Sequence, residues 1–423
     1  MPAEPPDLLT DLERRGLIQD TTDRGALEAR LAEGPVTLYH GCDPSAPSLH
    51  HGNLIGLVML RRFQDAGHRP IALAGGATGM VGDPGGRSEE RNLLDVDTLA
   101  RNVAAIKAQI SRILGPEGRW TLVDNLSWTA EVRLLDFLRD VGKHVTVNQM
   151  VARESVKARM QSEHGISYTE FSYMLLQAFD YDHLHQAHGC ELQIGGSDQW
   201  GNILSGVDLI RRRRGDVVHA LCWPLLTAGD GSKIGKTTGA RVWLDPDLTS
   251  PYEFFQHFLA VADDVVEQHL KMFTTVPLDE IAEVMEDHQR DPSRRTAQRR
   301  LALEVTALVH GEAEAERADV VSRGAFDPGQ NLDPLLLRAQ EDQLPTTRLT
   351  AADLPVRVVE LAARAGLVPS ISAGTRLARQ GGLYVNEVAQ PEDRLVGPED
   401  LVEGRWVLLR SGKRTRHLVV VEG

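Results

Sequence analysis

Between residue 36 and about residue 230, short runs of β-branched and aliphatic residues alternate with longer amphipathic stretches, and this rhythm limits the fold more than any other feature. "VTLYHG" (36–41), "RPIALAGG" (69–76) and "RWTLVDN" (119–125) read as strands, each ending at Gly, Asn or a turn. Residues 51–66, 97–114 and 131–141 read as helices. Strand, helix, strand at this spacing predicts right-handed βαβ units, hence the α/β class with a parallel sheet. In such sheets a ligand sits beyond the carboxyl ends of the strands. The segments just behind the strands are therefore the first places to look for chemistry.

One of them is "DPSAPSLHHGN", Asp43 to Asn53, behind the first strand. Pro44 and Pro47 make a turn, and Ser48 is expected to cap the next helix by accepting an orphan backbone N–H. That helix, "LHHGNLIGLVMLRRFQDAG", should stop at Gly67, a C′ glycine. His50, His51, Gly52 and Asn53 fall in its first turn, where free N–H groups and the helix dipole favour an anion. Alone, such a turn is better explained by ordinary surface polarity. Its place behind a strand favours a ligand site.

Four further segments look specialised. In "GGATGMVGDPGGRSEER" (75–91) dense glycine allows close backbone approach, and Arg87 and Arg91, four apart, share a helical face. The dinucleotide spacing G-x-G-x-x-G is absent there. In "YTEFSYMLLQAFDY" (168–181), Tyr173, Gln177 and Asp180 form one row on an otherwise apolar helix, which suits a pocket wall better than a wet surface. "ELQIGGSDQWGNI" (191–203) turns at Gly195 and Gly196 and then offers Ser197, Asp198, Gln199 and Asn202, a set that suits a sugar, an amine or a purine. "GDGSKIGKTTG" (229–239) holds Lys233, Lys236 and Thr237 among small residues without the Walker spacing. A loop carrying two ammonium groups to a polyphosphate fits it, and an exposed basic turn is the competing reading.

Beyond residue 245 the pattern changes. Residues 246–325 are helix-like, 326–350 carry prolines without clear period and read as a linker, and 351–423 read as a small α+β module. The domains expected are thus 1–245, 246–325 and 351–423. The last holds ten Lys and Arg against nine Asp and Glu, near neutrality on a chain of net charge −14. That acidic balance argues against indiscriminate nucleic-acid binding but leaves a local basic face possible. No apolar run approaches a membrane span, and Cys42, Cys190 and Cys222 form no C-x-x-C pair, which suits a reducing cytoplasm.

With these segments in order, the chain resembles the bacterial-type tyrosyl-tRNA synthetases, of class I. "DPSAPSLHHGN" is similar to the HIGH segment and "KIGKT" to the KMSKS loop. "YTEFSYMLLQAFDY" and "LQIGGSDQWGN" are similar to the family's tyrosine and adenylate segments, and "SAGTRLARQGGLYVNEV" resembles an S4-type RNA-binding domain. The resemblance implies a Rossmann-like catalytic domain, a helical tRNA-contacting domain and an S4-like tail. It implies ATP-dependent formation of tyrosyl-adenylate and transfer to tRNA(Tyr), with Mg2+ accompanying ATP and no dedicated protein metal site. It also implies a cytoplasmic homodimer joined through an insertion around 120–165. The run Arg211 to Arg214 suits an acceptor stem and a solvated helix end about equally.

By the same resemblance, Tyr39 and Asp180 hold the substrate's phenolic hydroxyl, while Tyr173, Gln177 and Asp83 hold its ammonium with Gln193 nearby. Asp43, Gly52, Asp198, Gln199 and Lys236 contact the adenylate. His50, Asn53, Lys233, Lys236, Thr237, Arg87 and Arg91 handle the phosphates. Polar readout of the hydroxyl is the physical route to rejecting phenylalanine without editing, an argument for which tyrosyl enzymes are themselves the standard illustration. The chain departs from the family's pattern at Asn53, where a second histidine is common, at His40 for cysteine, at Arg87 for lysine, and in "VNEV" for an Asn-Gly turn. A tryptophanyl synthetase, an RNA-binding protein that kept the fold without the chemistry, and a nucleotide-dependent dehydrogenase are the alternatives. Asp180 with Tyr39, the intact lysines with His50, and the missing dinucleotide fingerprint respectively argue against them.

Overall fold

The computed structural model describes residues 7–83, 95–116, 118–153, 156–157, 160–161, 165–225, 241–326, 332, 334–341, 344–412 and 415–422. By internal contacts it divides into two units, Met1–Thr249 with His257–His310, and Ser250–Gln256 with Gly311–Gly423. The helices of the 246–325 stretch are shared between them.

The first unit is built on six strands, β1 (Asp20–Thr21), β2 (Thr37–Cys42), β3 (Arg69–Ala74), β4 (Thr121–Asp124), β5 (Cys190–Gly196) and β6 (His219–Trp223). Their order is β1-β6-β5-β2-β3-β4. All neighbours pair in parallel except β1, which lies antiparallel on β6. Successive strands β2, β3 and β4 step outward in one direction, and β5 and β6 in the other. The order reverses between β2 and β5, where a doubly wound sheet opens a crevice at its carboxyl edge. The His51–Asp65 helix follows β2 and buries Leu54, Leu57, Val58, Leu60 and Phe63 completely. It ends as expected, with Gly67 at φ +91° just beyond its C-cap.

In the second unit a five-stranded sheet runs Val388–Ala389, Leu383–Val385, Trp406–Ser411, Thr415–Glu422, Thr346–Thr350. Side chains alternate along it. Leu383, Val385, Val407, Leu409, Val419 and Val421 pack with Val358, Val359 and Leu361 on one face, while Trp406, Leu408, Leu418 and Val420 pack with Leu337 on the other. Both faces are thus covered by helix. The residues read as a linker include a helix, Pro334–Gln340, and the Thr346–Thr350 strand, paired in parallel with Thr415–Glu422. Its single buried aliphatic residue, Leu349, is too sparse a signal to read as a strand. The "VNEV" turn has a structural account. Asn386 and Glu387 stand at φ +48° and +63°, as a two-residue turn of the I′ kind requires. The Glu387 carboxylate accepts from Arg410 Nε at 2.7 Å and Arg416 Nη2 at 3.2 Å. No described helix is long and apolar enough to cross a membrane.

Candidate functional site

At the reversal between β2 and β5 lies a cleft of about 410 Å³, lined by Tyr39, Asp43, His50, Gly52, Asn53, Asp83, Tyr173, Gln177, Asp180, Gln193, Asp198 and Gln199. Five residues expected with them, Arg87, Arg91, Lys233, Lys236 and Thr237, lie outside the described residues. The described neighbours of those segments do reach the cleft, Asp83 on one side and Leu225 and Arg241 on the other.

The floor is formed where β2, β4's end and the Tyr168–His188 helix meet. Asp180 is buried and accepts from Asn125 Nδ2 and Trp128 Nε1, both at 2.9 Å. Two N–H donors favour its ionised form, yet burial outweighs them and lifts the carboxyl to about 7. Tyr39, also buried, presents a phenolic oxygen with no hydrogen-bond partner. Burial first, and the nearby Asp180 charge second, push its ionisation well above the ordinary tyrosine range, so this group is a donor at neutral pH. An unpaired buried hydroxyl costs about 1–3 kcal/mol. A ligand hydroxyl placed between Tyr39 and Asp180 would remove that cost.

One turn or more along the same helix, Gln177 and Tyr173 face the cleft. The Gln177 carbonyl oxygen and that of Gln193, on β5, are buried without partners. Tyr173 Oη donates to Asp43 at 3.2 Å, and Thr78 Oγ1 donates to the same carboxylate at 3.1 Å. Gln199 Nε2 donates to Asp83 at 2.6 Å. This wall is rich in acceptors, which suits a cationic or hydroxylated ligand. Glycine makes room for the carboxylates themselves: a Cβ at Gly75 would fall 2.5 Å from Asp43 Oδ1, and one at Gly196 2.7 Å from Asp198 Oδ1.

The histidine turn forms the opposite rim, with one correction. The helix cap is His50, not Ser48. His50 Nδ1 accepts from Gly52 N at 3.0 Å, while Asn53 Oδ1 accepts from His50 N at 3.1 Å, a reciprocal box. Ser48 is turned to Gln109 and to the backbone, accepting from Asp245 N at 3.1 Å. The expectation of free backbone donors fails with it, because Gly52 N is taken by the imidazole, His51 N by Val242 O and Asn53 N by His50 O. Side chains are what remain. With Nδ1 accepting, the His50 proton sits on Nε2. Burial, then the neighbouring His51 and Arg241, hold the ring down to about 4, so it stays neutral. Gly52 is needed here, since a Cβ would come within 2.8 Å of the His50 ring.

His40 packs edge-on to Trp223 and its Nδ1 donates to Ile194 O at 3.2 Å. Burial lowers it to about 4. Its far nitrogen leans on the His51–Asp65 helix where a Cβ at Gly56 would stand 2.3 Å away. Arg213 and Arg214, half of the basic run, grip Asp182 at 2.5 and 2.6 Å. Sequence reasoning missed Asn125, Trp128, Thr78 and Arg241. A polar residue at a parallel strand's carboxyl end could have found Asn125, whereas Trp128 and Arg241 carry no local signal.

Comparison with known proteins points to one family. The family model described as tRNA synthetases class I (W and Y) matches residues 31–327. A tyrosine--tRNA ligase of Opitutus terrae is 49% identical over 98% of this chain and 99% of its own length. One of Mycobacterium tuberculosis is 47% identical over 96% and 97%. Among solved structures, a C-terminally truncated mitochondrial tyrosyl-tRNA synthetase of Aspergillus nidulans superposes with TM-score 0.68 at 35% identity, covering 77% of this chain and 95% of that one. The tyrosyl-tRNA synthetase of Archaeoglobus fulgidus, complexed with L-tyrosine, matches in fold with TM-score 0.55 at 19% identity, over 74% and 99%.

Proposed function

The chain belongs to the class I tRNA synthetases for tryptophan and tyrosine, among the bacterial-type tyrosine--tRNA ligases, and from that premise we propose how its residues divide the work. Tyrosine enters with its hydroxyl between Tyr39 and Asp180. Its ammonium meets Tyr173, Gln177 and Asp83, with Gln193 nearby. Asp43, Asp198 and Gln199 receive the adenylate's ribose and amine groups, beside the open backbone at Gly52. The tyrosine carboxylate oxygen then bonds to the α-phosphorus of ATP as the bond to pyrophosphate breaks. In the second step the oxygen of a terminal ribose hydroxyl of tRNA(Tyr) bonds to the tyrosyl carbonyl carbon and releases its proton to solvent, and AMP departs with the electron pair of the broken bond.

The charge that develops on the phosphates needs donors already in place. His50, through Nε2–H, and Asn53, through its amide, serve from the rim. Lys233, Lys236, Thr237, Arg87 and Arg91 complete the set, a need made plain by the acidic described wall. Mg2+ is taken to travel with ATP rather than on a protein site of its own. Pairing of two copies through the 120–165 region is supported by Leu134, Leu135 and Val147, whose exposures of 72%, 77% and 62% are unusual for aliphatic residues. The tail is read as an S4-like RNA-binding module and the setting as the cytoplasm.

One observation carries the substrate assignment: the orphaned Tyr39 hydroxyl facing Asp180. The test is exchange of labelled pyrophosphate into ATP with tyrosine, tryptophan or phenylalanine and no tRNA. Exchange with tyrosine alone is expected; exchange with tryptophan would overturn the pocket reading, and none at all would remove the activity.

A further inference from the structure

We propose that Arg241 is a phosphate-binding residue of the cleft, taking the β- and γ-phosphates of ATP and the pyrophosphate that leaves. The proposal rests on the reading just given and adds a residue to it. Arg241 is the only Lys or Arg among the described residues that line the cleft, against the carboxylates of Asp43, Asp83, Asp180 and Asp198. A polyphosphate entering there meets net negative charge unless cations are supplied.

The next three residues of the chain fix its position. Val242 O accepts from His51 N at 3.0 Å, Trp243 bridges to His50, and Leu244 N donates to Leu49 O at 2.9 Å. All three are thereby clamped on the turn that carries His50 and Asn53. The guanidinium lies over the Trp243 ring, 5.1 Å from its centroid, and no described acidic side chain forms an ion pair with it. Arg213 and Arg214, by contrast, are both spent on Asp182. Stacking orients a guanidinium while leaving its N–H edge free, and a planar fork of donors matches phosphate oxygens. The Arg241 charge also reaches His50, where it helps keep the imidazole neutral.

The test compares Arg241→Ala, Arg241→Gln and Arg241→Lys in tyrosine-dependent pyrophosphate exchange, varying ATP, pyrophosphate and tyrosine in turn. Aminoacylation is then measured with tRNA varied. Alanine and glutamine should each raise KM for ATP and for pyrophosphate about tenfold or more, as loss of a charge-assisted bond predicts. KM for tyrosine should stay within about twofold, and lysine should recover part of the loss. Glutamine keeps a side chain over Trp243, so failure of alanine alone would mark a packing role and overturn the proposal. So would unchanged constants for ATP and pyrophosphate, or a rise confined to tRNA, which would put the guanidinium on the tRNA backbone instead. Should the wild-type protein show no exchange, the activity reading falls. Calorimetric binding of inorganic pyrophosphate to wild-type and Arg241→Ala protein then decides the matter, with equal affinities refuting the site.

Discussion

The cleft of the first unit and the sheet of the second handle polar groups in opposite ways. In the cleft, Tyr39 Oη and the carbonyl oxygens of Gln177 and Gln193 are buried with nothing to bond. In the sheet, charged groups are already matched: Glu387, in its tight turn, with Arg410 and Arg416, and Glu422 with Arg348 on the neighbouring strand. A buried polar atom without a partner destabilises a fold, whereas a carboxylate already held by arginine carries no such unpaired group. The cost borne in the cleft is intelligible if a ligand removes it, and the sheet bears no comparable cost. Buried atoms without partners also occur at Gln64, Gln298 and Gln340, so what marks the cleft is that its unpartnered atoms converge on one open space, whereas the sheet's arginines largely serve its own fold.

Substitutions can break that contrast. Lys236→Ala should do most, slowing adenylate formation by about two to three orders of magnitude while tyrosine binding hardly changes, as rapid-quench and equilibrium measurements would reveal. A normal activation rate would remove the 226–240 segment from the mechanism. Asp180→Asn comes next, with tyrosine kcat/KM falling about ten- to a hundredfold. Its pH signature is specific. Burial lifts the carboxyl to about 7, and it accepts the tyrosine hydroxyl more strongly when ionised, so tyrosine should bind more tightly as pH rises through that value. The asparagine variant should lose this dependence, and a profile identical to wild type would refute the assignment.

Gly56→Ala should then cost about 1–3 kcal/mol in denaturant unfolding, because the new methyl meets the His40 ring. Pairing it with His40→Ala should restore part of the loss, and strict additivity would contradict the packing described. Smallest is Glu422→Gln in the filled region, where the pair with Arg348 is half-exposed. We expect about 1 kcal/mol or less of stability lost and no change in pyrophosphate exchange. An altered exchange rate would mean the two regions are not as separate in function as their polar groups suggest.

Much of this is legible in order along the chain. The βαβ rhythm specifies the sheet, and the segments singled out along it, on strands, on the turns behind them and on one helix, hold every described residue expected in the cleft. What escapes is whatever depends on distant partners. Trp128 and Asn125 reach Asp180 across 52 and 55 residues. The cap falls on an unexpected residue because a histidine rarely takes that part, and hydroxyl propensity points to Ser48. The Arg211–Arg214 run looks like a basic face, but Asp182, buried on another helix, consumes half of it. Strand Thr346–Thr350 is hidden because only one of its residues turns to a core.

The fit of His40 against Gly56 also bears on how this sequence can change over generations. Alanine is the ordinary improvement for a helix interior, better than glycine by about 1 kcal/mol. Here that step is barred while the imidazole stands 2.3 Å from where the methyl would be. A smaller residue must arrive at 40 first, and only then does the gain at 56 become available. The order of the two events is therefore not free: a lineage can reach the pair along one route and meets a barrier on the other.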